Sequence, residues 1–219
     1  MKDGWTKHIK QKEHKHDLYD YHKDKKRRIF MLEFYKSKPR YDGERKYGKK
    51  HGKGKYRFPC GDVYEGDWVK GKKHGIGEYT FTSGESYNGE WVDDNMNGNG
   101  TYVFENGDVY EGEWVDGVIH GKGTYNYSTG DTYIGQFQNG MRHGEGKFIY
   151  RNGNIYSGGF KKDCFHGTGK SLFASGNIFE GSFKNDKRHG KGKYTSVNGT
   201  TYEGYFKNGK YNGDKRNIF

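Results

Sequence analysis

Residues 64–79 open on Tyr64-Glu-Gly66-Asp-Trp68 and close on His74-Gly75-Ile-Gly77-Glu-Tyr79. Aromatic and glycine positions alternate with polar ones, and that period of two sends one set of side chains to one face of a strand. The same pattern returns in Tyr110-Glu-Gly112-Glu-Trp114 and in Gly98-Asn-Gly100-Thr-Tyr102-Val-Phe104. Tyr41, Tyr64, Tyr87, Tyr110, Tyr133, Tyr156, Phe179 and Tyr202 follow one another at intervals of 23 residues without insertion. With each of these at position 0, positions +2 and +11 are glycine in all eight units. Position +4 is Arg45, then Trp68, Trp91, Trp114, Phe137, Phe160, Phe183 and Phe206. Columns +2, +7, +11, +13 and +20 hold 35 of the 37 glycines, leaving only Gly4 and Gly159 outside. The glycine is therefore architectural, and internal repetition sets the fold.

Positions 0 to +4 make one strand and positions +11 to +17, Gly-x-Gly-x-aromatic-x-aromatic, the next, with rings and glycines on one face. Glycine weakens a strand unless something must approach closely, and the approaching group is expected to be a ring lying over bare backbone. Polar residues such as Glu65, Asp67, Glu111 and Glu113 occupy the opposite, solvated face. Asn106-Gly107, Asn152-Gly153 and Asn198-Gly199 at +19/+20 predict tight primed hairpin turns, and Asn139-Gly140 and Asn208-Gly209 mark the other turn, near +6/+7. The expected fold is all-β: an elongated, single-layer, twisted antiparallel sheet of stacked hairpins. At ~4.8 Å per strand, about fifteen strands would span on the order of 70 Å. The columns expected to build it are Tyr64, Gly66 and Trp68, Tyr87, Gly89 and Trp91, Tyr110, Gly112 and Trp114, and Tyr133, Gly135 and Phe137.

Tyr-x-Gly-x-Trp, then Asn-Gly or Asp-Gly, then His-Gly-x-Gly-x-Tyr at this period resembles the MORN repeat (membrane occupation and recognition nexus), over about residues 41–214. Eight units are delimited: 41–63, 64–86, 87–109, 110–132, 133–155, 156–178, 179–201 and a partial 202–219. Arg45 departs from the +4 aromatic, Asp94, Asp163 and Asp186 from the +7 glycine, and Ser171 and Ser196 from the +15 and +17 aromatics.

Composition agrees with a ring-and-glycine core. Leu 3, Ile 9 and Val 8 are too few for the continuous buried strands of an α/β enzyme, whereas Tyr 20, Trp 4 and Phe 14 are plentiful. Net charge is +11 and mean hydropathy −1.25, values that without those rings would suit a disordered chain. No apolar run approaches a membrane span, and the first thirty residues lack the apolar core of a secretory signal. Two cysteines make no disulfide framework, and Cys60 and Cys164, five repeats apart, are expected to be free thiols. The default compartment is cytoplasmic.

Residues 1–40 form a basic N-terminal arm. Lys25-Lys26-Arg27-Arg28 runs into the most apolar stretch of the chain, which contains Ile29, Phe30, Leu32 and Phe34. Its spacing leaves helix and strand open, and the segment could cap the first repeat, anchor a partner or meet a membrane. A second basic group lies in the turns after the first strand: Lys70, Lys72, Lys73, Arg142, Lys161, Lys162, Lys184, Lys187 and Arg188. Either it protects strand ends or it forms a rim for an acidic partner, an anionic lipid head or a tubulin tail. Nucleic acid is not expected, because the aromatics are committed to the sheet.

Other motifs dissolve into the repeat. Position +10 is His51, His74, Asn97, His120, His143, His166, His189 and Asn212. Equivalent residues two strands apart, about 9.6 Å, cannot share a metal whose ligands stand near 2.1 Å, so no metal is expected. Gly66-x4-Gly71-Lys72 has phosphate-loop spacing, but Lys73 stands where Ser or Thr should be. No catalytic residues and no cofactor are assigned. The resemblance implies a non-enzymatic scaffold, since MORN-bearing lipid kinases and methyltransferases carry a separate enzyme domain. Chains made almost wholly of such repeats resemble radial-spoke-head components of cilia and cortical cytoskeletal scaffolds. The expected partners are proteins of a larger assembly, with homo-oligomerisation left open. The alternative is a peripheral tether that binds phosphoinositides.

Overall fold

The computed structural model describes residues 40–212, so the basic stretch and the apolar segment of the arm, Lys25 to Phe34, lie outside the described residues. Sixteen strands follow in chain order in one antiparallel sheet. They are β1 (Arg40–Lys46), β2 (Lys49–Arg57), β3 (Val63–Val69), β4 (Lys72–Thr80), β5 (Ser86–Val92), β6 (Asn95–Val103), β7 (Val109–Val115) and β8 (Val118–Asn126). Then come β9 (Thr132–Gln138), β10 (Met141–Ile149), β11 (Ile155–Lys161), β12 (Cys164–Leu172), β13 (Ile178–Lys184), β14 (Lys187–Thr195), β15 (Thr201–Lys207) and β16 (Lys210–Tyr211). The first repeat is a complete hairpin, and the eighth ends on a two-residue strand, so the count is sixteen and not fifteen. The contacts divide the chain into two compact units: one runs to Gly107 and includes Glu113–Val118, and the other comprises Asp108–Gly112 and the chain from Ile119 onward.

The primed turn is the one at +6/+7. All eight +6 residues have positive φ, from 48° at Asp93 to 53° at Asn139, as do all eight +7 residues. Such a turn matches the right-handed strand twist and demands φ > 0 at both centres. Asp94, Asp163 and Asp186 satisfy that demand without glycine, at φ 76°, 68° and 65°. Each then uses its carboxylate: Asp94 accepts the Lys73 N–H at 2.9 Å, Asp163 that of Arg142 at 2.9 Å and Asp186 that of Phe165 at 2.8 Å.

The other turn departs from expectation. At +19/+20 only the glycine is left-handed: Gly107 is at φ 83°, but Asn106 is not at positive φ. Gly84 N–H donates to the Phe81 carbonyl at 3.1 Å, while Phe81 N–H reaches Glu85 at 3.0 Å. This is a type I turn closed by a left-handed glycine, the longer hairpin connection.

The +11 glycine also departs from its assigned place. It has positive φ in every described copy, 61° at Gly75 and 57° at Gly98 among them. The register explains it. Gly66 pairs with Gly77 and Trp68 with Lys73, so His74, Gly75 and Ile76 are bulged opposite Asp67 alone. Similar irregularities occur within the hairpins of the first, third, fifth, sixth and seventh repeats, and the described pairings between repeats are regular. Only the +2 and +13 glycines serve ring approach. The Tyr64 ring lies over Gly77, beside Gly66, and its hydroxyl donates to the Asp67 carbonyl at 3.0 Å. The visiting ring thus belongs to the same hairpin.

The core is this row of rings. In the first unit Tyr64 meets Trp68 and Trp91 edge-on at 4.9 and 5.3 Å; in the second, Tyr133 meets Phe137 and Phe160 at 5.0 and 4.9 Å. Edge-to-face pairs at these distances contribute about 0.5–1.5 kcal/mol beyond area burial. Trp91 also donates its indole N–H to the Gly77 carbonyl of the preceding repeat at 2.9 Å.

Candidate partner-binding surfaces

The nine basic turn residues separate by strand parity. Lys70, Lys72, Lys161, Lys162, Lys184 and Lys187 are exposed, with Lys70 and Lys162 at the crest of their turns. Lys72 reaches Asp93 at 3.3 Å, an exposed pair of little energetic weight. Lys73, Arg142 and Arg188 instead occupy position +9, which points onto the rings. The Lys73 ammonium lies 4.1 Å from the Trp91 ring centre and 4.5 Å from that of Tyr79, and burial pulls its pKa down to about 8. The Arg142 guanidinium lies 5.1 Å from the Phe148 ring centre and is held by Asp163 at 3.2 Å. Arg188 lies between Phe179 and Phe206, at 5.3 and 5.5 Å.

Position +9 is a column that the periodicity analysis did not single out. It runs Lys50, Lys73, Met96, Ile119, Arg142, Phe165, Arg188 and Tyr211. Its chemistry varies while its place stays constant, and cations over ring faces are favourable there. The available signal was parity: +9 alternates in step with +13 and +15, and across the primed turn it falls opposite the +4 aromatic, as Lys73 does opposite Trp68.

Polar side chains that look functional in one copy bind the next repeat in structure. Asp62, buried, accepts from Tyr79 at 2.8 Å and from the Thr82 N–H at 3.0 Å. Burial by itself would raise its pKa, but these donors outweigh that and hold the carboxyl below its usual value. Asp108 does the same with Tyr125 at 2.7 Å and the Ser128 N–H at 2.7 Å. Asn154 and Asn177 bond Ala174 and Val197 N–H at 2.8 and 2.9 Å from the equivalent position. The +3 residues brace the bulge: Asp67 accepts the Ile76 N–H at 2.9 Å and Glu90 that of Asn99 at 2.8 Å.

The histidine column offers no ligand cluster. Among the described residues no three His, Cys, Asp or Glu side chains could hold one metal ion. Nδ1 of His74 and of His166 is shielded without a hydrogen-bond partner, and that of His74 stands 3.9 Å from Asp93. Asn97 bonds the Gly98 N–H at 3.0 Å, a local role in the bulge. Cys60 and Cys164 are free, and burial pushes both thiols up, the reverse of nucleophile activation. Among the described residues no helix is long and apolar enough to cross a membrane.

A search of curated proteins gives no match. Among solved structures, the SAS-4 (dCPAP) TCP domain of Drosophila melanogaster, in complex with a proline-rich motif of Ana2 (dSTIL), is similar at 9% identity and a TM-score of 0.47, over 77% of this chain and 90% of that one. The wild-type TCP10 domain of Danio rerio CPAP is similar at 12% identity and a TM-score of 0.44, over 76% and 78%. At those scores the likeness says nothing of function. The MORN repeat family matches residues 41–63, 64–86, 87–109, 110–132, 133–155, 156–178, 179–201 and 202–213. Its repeats are of the non-enzymatic scaffold type. Eight consecutive matches in unbroken register, on a sheet built one hairpin per match, place this chain in the MORN-repeat family.

Proposed function

We propose that the chain is a scaffold that gathers protein partners in a cytoskeletal or ciliary assembly, of the radial-spoke or cell-cortex kind, on the cytoplasmic side. The observation that carries this reading is where the polar side chains go. Asp62, Asp67, Asp94, Asp108 and Asp163 bond backbone of their own or a neighbouring repeat. They build a support and leave the exposed turns free to meet partners. In the second unit Lys161, Lys162, Lys184 and Lys187 crown successive turns, and the Asp186 N–H joins those turns by donating to the Phe165 carbonyl at 3.1 Å. A run of ammonium groups on ordered turns suits an acidic partner such as a tubulin tail. The arm, with Lys25, Lys26, Arg27, Arg28 and its apolar residues, is proposed as a second anchor.

The test is recovery of cross-linked partners with the full chain at low and raised salt, followed by mass spectrometry, beside sedimentation with phosphoinositide vesicles. Salt-sensitive recovery of cytoskeletal proteins is expected, and it should fall when Lys161, Lys162, Lys184 and Lys187 become Gln. Sedimentation with vesicles in the absence of protein partners would replace the scaffold by the peripheral tether.

A further inference from the structure

Position +15 carries Tyr56, Tyr79, Tyr102, Tyr125, Phe148 and Tyr194 in the other complete repeats, but Ser171 in the sixth. Ser171 sits in the ladder between Tyr156 and Phe179, where a ring would otherwise lie. A cavity of about 340 Å³ opens there, and Tyr150, Tyr156, Phe165, Phe173 and Phe183 are among its walls. Phe165 leans in and stacks on Tyr156 at 3.8 Å, so the gap is narrowed but not closed. An apolar cavity of about 150 Å³ already admits a benzene ring. The sixth repeat therefore has room for a ring that none of the described residues supplies.

Charge at the cavity is equally specific. Arg188 lines it from the seventh repeat. Its counterpart Arg142 is neutralised by Asp163, the +7 residue of the following repeat, at 3.2 Å. For Arg188 the corresponding residue is Gly209, which also lines the cavity and has no carboxylate. Arg188 has rings beneath it and, among the described residues, no acidic partner, although a guanidinium favours bidentate carboxylates. Of the other charged groups at the cavity, Lys187 is exposed and the Asp186 carboxylate accepts the Phe165 N–H at 2.8 Å.

We propose that this cleft binds a partner peptide through one aromatic side chain, which fills the place of the missing +15 ring, and an adjoining Asp or Glu, whose carboxylate pairs with Arg188. The proposal rests on the protein-scaffold reading and names a specific contact within it. The cleft is a composite of three repeats: the sixth provides the vacancy, the seventh the cation, and the eighth a glycine where the corresponding turn of the sixth repeat has Asp163.

The test is a binding titration of the full chain with acetyl-Gly-Trp-Glu-Gly-amide, against the same peptide with Gln or Lys for Glu, and with Ala for Trp. The Trp-Glu peptide should bind about tenfold or more tightly than each control, a difference within reach of one buried ring or one charged pair. Ser171→Tyr restores the residue of most other repeats, so it should fold and should lose that binding by about tenfold or more. Arg188→Gln should retain the Trp requirement and lose the preference for Glu over Gln. Unchanged binding by Ser171→Tyr, equal binding of the Glu and Gln peptides to the native chain, or no binding at millimolar peptide would overturn the assignment. Failure here is separable from failure of the scaffold reading, because partner recovery through the basic turns should be the same for Ser171→Tyr as for the native chain.

Discussion

At Gly112 an added Cβ would stand 2.5 Å from Gly123 Cα and from the Tyr110 hydroxyl, and 2.6 Å from the Lys122 carbonyl. Two of these are backbone and cannot swing aside, so Gly112→Val should lower stability by about 1–3 kcal/mol, the usual cost of overpacking. Lys72→Ala, on an exposed turn, should stay within about 0.5 kcal/mol. Thermal melts of the pair check the assignment, and equal shifts would count against it. Lys73 makes a pH-dependent prediction. Folded, its pKa is lowered by burial to about 8 from 10.5. Below that range the lysine is charged in both states. Between the two values the unfolded chain holds the extra proton, so stability rises with pH. Relative to Lys73→Met, the native chain should gain melting temperature from pH 8 to pH 10. A constant difference across that range would show that Lys73 is not desolvated.

Between elements, the bonds that recur are those from one repeat to the next. Asp62→Ala would strand the Tyr79 hydroxyl and the Thr82 N–H, and unsatisfied buried groups cost about 1–3 kcal/mol each. Asp62→Asn should cost clearly less, because Asn154 and Asn177 already make the equivalent backbone bond. Chemical denaturation of the two variants should rank them in that order. The charged form carries its own signature. The Asp62 carboxyl is held below its ordinary value, so the stability it contributes is present above the ordinary carboxylate pKa and is lost as pH falls through the folded one. Asp62→Asn should flatten that part of the acid limb.

For the whole molecule, each repeat bonds only its neighbours, so damage should remain local. Gly66→Val should strip hydrogen-exchange protection from the second repeat and its neighbours, the first and third, and leave that of residues 132–207 nearly intact. A uniform loss along the chain would indicate a single cooperative core. The first repeat holds its outer ring by contacts within its own hairpin: Arg45 lies 4.9 Å from the Tyr41 ring centre and donates to the Gly48 carbonyl at 3.1 Å, and the Tyr41 hydroxyl donates to the Glu44 carbonyl at 2.7 Å. Deleting residues 1–40 should therefore leave the melting temperature of the repeats in place while partner recovery falls. An early melt with full recovery would make the arm a cap.

Sequence alone determined the period, the strand content, the ring columns and the turn positions, because Tyr64, Gly66 and Trp68 recur at fixed parity and Asn-Gly pairs such as Asn139-Gly140 mark where the chain reverses. It also singled out Ser171 as a departure, without showing that a cavity would follow. Tertiary structure alone decided the rest. The +11 glycine reads as one more step of alternation until its partner strand shows two residues, from Gly66 to Trp68, where its own strand spends four, from Gly77 to Lys73. Lys73, Arg142 and Arg188, apparent rim residues by their place near the turn, lie opposite Trp68, Phe137 and Phe183 across the primed turn and so become ring neighbours. Whether an arginine there is neutralised depends on a residue 21 positions later, Asp163 for Arg142 and Gly209 for Arg188. Parity is a local property of backbone torsions and can be read along one strand. Bulges and cross-repeat charge pairs are set by register between strands, which exists only once the hairpins stack.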